Sequence, residues 1–69
     1  MKKVIYIEGM HCQNCEKRVY NTLSNLDNVK KVKINLKKKE AIIETDETID
    51  NEIIVKSIAN IGYEVTNIK

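Results

Sequence analysis

Seven consecutive residues, Gly9-Met10-His11-Cys12-Gln13-Asn14-Cys15, hold both cysteines of the chain and its one histidine. Two thiols separated by two residues converge when the second lies in the first turn of a helix, because positions three apart share a helical face. A helix N-terminus also presents unpaired N–H groups and a partial positive charge, which favour thiolate over thiol. Thiolates are the metal-binding form, and soft sulfur donors select soft ions such as Cu(I), with zinc as the borderline competitor. A closed structural zinc site needs four N or S ligands, and two Cys with one His fall short of that. The chemistry expected of this stretch is an under-filled, two-thiolate site for a soft cation.

The residues on either side would have to position such a pair. Residues 3–8, Lys-Val-Ile-Tyr-Ile-Glu, have the β-branched content of a strand with Ile5 and Ile7 on its covered face, and Gly9 ends it. From about residue 14 to 26 the apolar positions Cys15, Val19, Leu23 and Leu26 recur at spacings of four, four and three, which describes an amphipathic helix. Glu16 suits the dipole of its first turn, and Asn28 is expected as its left-handed C-terminal cap. Val32, Ile34 and Leu36 alternate with Lys31, Lys33 and Asn35, so a half-buried second strand follows with its lysines on the open side. Residues 41–45 make a third strand. Between the two lies Lys37-Lys38-Lys39, which lacks the glycine or asparagine of a tight turn and predicts a slightly longer, solvated loop.

Asp50 is placed as the N-cap of a second helix whose inward residues are Ile53, Ile54, the small Ser57, Ile58 and Ile61, and Gly62 ends it. Residues 63–68 supply a last strand. The order strand, helix, strand, strand, helix, strand is that of an α+β, ferredoxin-like open-faced sandwich: a four-stranded antiparallel sheet with both helices on one face. The first crossover begins at the cysteine stretch, which therefore sits in a loop at one exposed end of the sandwich.

A chain of 69 residues makes one domain, residues 1–69, that buries only about 60% of its unfolded surface. Isoleucine and valine dominate its apolar content, with three tyrosines and no Phe, Trp or Pro. Twelve basic side chains against ten acidic ones leave a net charge of +2, so nothing calls for nucleic acid as a partner. No apolar run is long enough for a signal peptide or a membrane span, so no direct membrane insertion and a cytoplasmic location are expected. Exposed paired thiols in such a reducing compartment are metal-binding or redox-active rather than structural. The initial Met1 and short tail favour an independent protein over an excised transporter module.

Other residues near the thiols have expected parts. Met10 carries a soft sulfur, but a side chain that anchors the loop in the core is the expectation, without metal binding. His11 is expected to be exposed, the alternative being a third ligand or a group that tunes proton dependence near neutral pH. Lys17 and Arg18 follow the second cysteine on the helix, where they would lower thiol pKa and offer a basic patch to an acidic partner domain.

The run Gly-Met-x-Cys-x-x-Cys, together with Asn35-Leu36, Glu40-Ala41 and Ile61-Gly62-Tyr63-Glu64-Val65, resembles the heavy-metal-associated domain family over nearly the whole chain, in particular its small bacterial copper chaperones. The resemblance implies a non-enzymatic protein that binds Cu(I) through Cys12 and Cys15 in a near-linear, exposed site. It also implies delivery by thiolate exchange to a similar domain of a copper-transporting P-type ATPase, or to a copper-responsive regulator. Tyr63 would stand beside the metal loop, shielding the ion or packing the loop. The protein would be a monomer without metal, and copper could bridge two copies into a homodimer through four thiolates. Asn28 and Lys39 stand where many members have glycine, and both touch turn geometry rather than the site. His11 fills a position at which zinc-handling relatives often have an acidic residue. The rival readings are a carrier of another thiophilic ion, Hg(II), Cd(II) or Zn(II), and a thiol–disulfide redox protein, the latter disfavoured by the absence of proline beside the thiols.

Overall fold

Alternation along the first strand puts Ile5 and Ile7 on one side of the backbone, and both are fully buried, at 0% and 1% exposure. The computed structural model describes residues 1–69 and contains β1 (Lys2–Glu8), α1 (Gln13–Ser24), β2 (Val29–Asn35), β3 (Glu40–Thr45), α2 (Asn51–Asn60) and β4 (Glu64–Ile68). The sheet runs β2-β3-β1-β4 with every neighbouring pair antiparallel. This is the ferredoxin-like sandwich that the element order predicts. Val19 and Leu23 of α1 and Ile54 and Ile58 of α2 close the core against Ile5, Ile7, Ala41 and Ile43. Each of the isoleucine, leucine and valine side chains contributes roughly 1.5–3 kcal/mol by leaving water.

Topology decides what meets the cysteine loop. β1 and β2 are both antiparallel to β3, so they run in the same direction, and the β2–β3 hairpin lies at the end where β1 delivers Gly9. β4 is antiparallel to β1 and begins at that same end. Three loops, residues 9–12, 36–39 and 61–63, therefore share one end of the sheet.

Several local expectations shift. α1 stops at Ser24, two residues before Leu26, which packs against the core from the loop beyond. Asn28 is left-handed, at φ 71°, but it turns the chain into β2 rather than capping the helix, and its carbonyl accepts from the Asp46 N–H at 2.8 Å. β2 begins earlier than expected, at Val29, through an irregularity in its pairing with β3. Ile53 is not a core residue: it is 50% exposed, because Ile54 and Ile58 already define the inward stripe of α2 and Ile53 lies about 100° to the side of Ile54. Ile49, in the loop before α2, takes a core place instead at 6% exposure.

The ends of α2 follow the sequence closely. The Asp50 side chain accepts from the Glu52 N–H at 3.1 Å as an N-cap. At the other end the Gly62 N–H bonds the Ala59 carbonyl at 3.0 Å and the Tyr63 N–H bonds that of Ile58 at 3.2 Å. This is a Schellman ending with Gly62 left-handed at φ 91°. β4 accordingly starts one residue later than expected, since Tyr63 completes the motif.

Lys39 adopts φ 54° in the β2–β3 turn, a left-handed conformation that a side chain with a Cβ resists. Lys39→Gly is expected to raise stability by about 1 kcal/mol, and Asn28→Gly by less, since asparagine tolerates that region. Urea unfolding of both variants against the parent checks the ranking.

Candidate metal centre

The chain leaves β1 at Gly9 with φ 99°, and a Cβ placed there would meet the Tyr63 ring at 3.0 Å. Glycine is needed on both counts. The next residue, Met10, turns into the core at 2% exposure and ties the loop down from beneath. His11 and Cys12 then stand exposed. Cys12 is the N-cap of α1, with extended backbone at φ −148° and ψ 172°, and its carbonyl accepts from the Glu16 N–H at 3.0 Å. Its side chain makes no capping bond, which leaves the sulfur available. Cys15, in the first turn, is half-buried against the core, and the two sulfurs lie 3.3 Å apart.

The Cys15 thiol is lowered from its ordinary 9.0 to about 7. The largest cause is the neighbouring Tyr63 side chain; the His11 backbone and the Cys12 side chain follow, against an opposing effect of burial. Cys15 in turn, with burial, raises the Tyr63 phenol above its ordinary value. Lys17 and Arg18, expected to lower the thiol pKa, are not among the causes at Cys15. Arg18 acts on Tyr63 instead, lowering it slightly against the other influences.

Two free thiols, one exposed and one half-buried, suit a soft ion of low coordination number. No group of three or more His, Cys, Asp or Glu side chains converges in the structure, so a closed tetrahedral cage is not built here. With metal–sulfur bonds of about 2.3 Å, a linear S–metal–S unit needs the sulfurs further apart than the observed 3.3 Å. Cys12, on the exposed loop, is the partner with room to swing outward.

The fold brings Met10, His11, Cys12, Cys15 and Tyr63 to one end, with Arg18 close enough to act on the phenol and Lys17 on the adjoining turn. Sequence reasoning placed Tyr63 beside the loop but missed that it acts on the ionisation of Cys15 and that its ring rests on Gly9. No local pattern carries that information, because Tyr63 lies far along the chain from both Gly9 and Cys15. It also treated Lys37, Lys38 and Lys39 only as a solvated run. The hairpin they form is joined to β1 by the Ile7 N–H bonding the Lys39 carbonyl at 2.9 Å, and it adds positive charge at the metal-loop end.

Tyr63→Phe keeps the ring on Gly9 and removes the hydroxyl. Thiolate absorbance against pH is expected to show Cys15 half-ionised near pH 7 in the parent and shifted upward toward 9.0 in the variant. Because the folded pKa is depressed, the associated stabilisation is present above pH 9 and is lost as pH falls through about 7.

The heavy-metal-associated domain family model matches residues 4–64. The copper chaperone CopZ of Enterococcus hirae is 34% identical over 65 residues, covering 93% of this chain and 94% of that protein. A copper-transporting ATPase of Helicobacter pylori is 41% identical over 64 residues, which are 91% of this chain but only 9% of the ATPase. A solved CopZ metallochaperone structure superposes with a TM-score of 0.88 at 25% identity, covering 96% of this chain and 100% of that one. The chain thus belongs to the heavy-metal-associated domain family.

Proposed function

We propose that this protein is a cytoplasmic, non-catalytic carrier that holds Cu(I) between Cys12 and Cys15 and passes it on by thiolate exchange. The observation that carries the reading is a pair of free sulfurs 3.3 Å apart at an exposed loop, one of them with a pKa lowered to about 7, and no third donor group around them. Zinc gains from a filled tetrahedral shell, whereas a soft monovalent ion is satisfied by two thiolates. Relatives named as copper chaperones and copper-transporting ATPases support copper as the cargo.

An incoming thiol of the acceptor loses its proton and bonds the ion as a third thiolate. One resident metal–sulfur bond then breaks, and the departing thiolate takes up a proton from solvent. A second exchange completes delivery with no change in oxidation state. Met10 keeps the loop in place from the core, Tyr63 holds Cys15 in its ionised form, and His11 stays clear of the ion. The acceptor is a heavy-metal-associated domain of a copper-transporting P-type ATPase, or a copper-responsive regulator. Lys17 and Arg18 steer an acidic acceptor surface toward the thiols.

Anaerobic competition titration under reducing conditions tests the cargo. The parent is expected to bind Cu(I) in preference to Zn(II), and the Cys12→Ser/Cys15→Ser protein to lose Cu(I) binding altogether. Preference for Zn(II) or Hg(II) would overturn the copper assignment. Charge reversal at Lys17 and Arg18 is expected to slow transfer to an acidic acceptor domain by about tenfold at low salt. Stopped-flow transfer rates measured across a salt series check this, with the parent and variant converging as salt rises.

A further inference from the structure

The two edges of the sheet are unlike. β2 carries Lys30, Lys31 and Lys33, a placement of charge that keeps an edge strand from pairing with another chain. β4, at the other edge, has no charged side chain between Glu64 and Lys69. An uncharged groove of about 310 Å³ runs beside it, lined by Asn51, Val55, Val65, Thr66, Asn67 and Ile68. Val55 is 41% exposed there. Lys69 exchanges both of its backbone bonds with Val4, at 2.8 and 3.0 Å, so Ile68 beside it turns its own N–H away from β1. The Asn67 side chain holds that outward N–H at 2.9 Å in place of a neighbouring strand.

The order of side chains along β4 is its own antiparallel complement. Laid against a second copy, Glu64 falls opposite Lys69, Val65 opposite Ile68, and Thr66 opposite Asn67, and a two-fold axis repeats each pairing. The faces agree as well. Val65 and Ile68 pair with Ile7 and Ile5 across β1, so both lie on the helix side. Glu64 pairs with Glu8, and Lys69 bonds Val4, so both lie on the open side.

We propose that β4 is a homodimerisation edge, through which a second copy of this chain adds antiparallel to form a continuous eight-stranded sheet with four helices on one face. Charge complementarity between Glu64 and Lys69 selects a second copy as the occupant and sets the register. The contact is short, and the irregularity of β4 beside Tyr6 and Ile7 twists it. Association is accordingly weak, with a Kd on the order of 0.1–1 mM for an interface below standard size. At micromolar concentrations the metal-free chain is the monomer expected from its sequence; the dimer populates above that. Its two cysteine loops lie at opposite ends, so this dimer is distinct from one bridged by copper and needs neither metal nor thiols.

Sedimentation velocity of the metal-free, reduced protein, in concentration steps up to about 2 mM, tests the proposal. Glu64→Lys and Lys69→Glu are both exposed changes that leave the fold intact, and each is expected to weaken association about fivefold or more by facing like charges across the edge. An equimolar mixture of the two variants is expected to associate as well as the parent, and Cys12→Ser/Cys15→Ser to match the parent. A parent that stays monomeric at the highest concentration would overturn the proposal, as would association indifferent to both charge changes or lost with the cysteines.

Discussion

The seat of the Tyr63 ring on Gly9 is the contact on which the thiol loop depends. A loop that must leave its sulfurs open to solvent cannot be stiffened by the ligands themselves, since a bound ion would reach only two of them. Stiffness comes from neighbours that never face the ion. Met10 is drawn into the core, Gly9 takes a backbone conformation that other residues rarely adopt, and the ring of Tyr63 packs within 3.0 Å of where a Cβ would stand. The same side chain is the largest influence lowering the Cys15 pKa. One packing decision therefore fixes both the shape of the loop and the ionisation of a sulfur.

Tyr63 is brought there by the far end of the molecule. α2 is capped by Asp50, driven against the sheet by Ile54 and Ile58, and terminated by Gly62 so that the next residue falls beside β1. A change in the length of α2 by one residue would rotate Tyr63 by about 100° away from Gly9. The core thus acts on the thiols through helix length rather than through any direct contact. Cys15 itself straddles the boundary, its backbone in α1 and its side chain half-buried against the core.

Charge is distributed with the same economy. The metal-loop end carries Lys17, Arg18 and the three lysines of the hairpin beside Glu8, Glu16, Glu40 and Glu64, while the opposite end carries Asp27, Asp46, Glu47, Asp50 and Glu52 beside Lys2 and Lys30. Both ends are mixed in sign, within a net charge of +2. The lysines of β2 also guard its free edge, and β4 is left as the edge with an uncharged middle. Surface ion pairs such as Lys30–Asp46, at 2.8 Å and largely exposed, add little to stability. Their positions matter more for which faces another molecule can approach.

Much of this architecture was legible in the chain. Alternation at Ile5 and Ile7, the four-residue spacing of Cys15, Val19 and Leu23, the Asp50 cap and the Gly62 stop are local patterns whose physics needs nothing beyond neighbouring residues. The misjudged positions share a cause. Ile53 and Ile54 are equally apolar, and only the docking angle of α2 buries one and exposes the other at 50%. Ile49 reaches the core from a loop, where no periodicity announces it, and Leu26 packs against the core as its spacing suggested but from beyond the helix end. The type of chemistry, two soft sulfurs at a helix start, was determined by sequence alone because three-residue spacing on a helix sets which groups converge. The influence of Tyr63 on Cys15, the ring on Gly9 and the two unlike sheet edges were decided by tertiary structure, because each depends on segments that meet only when the strands are ordered β2-β3-β1-β4.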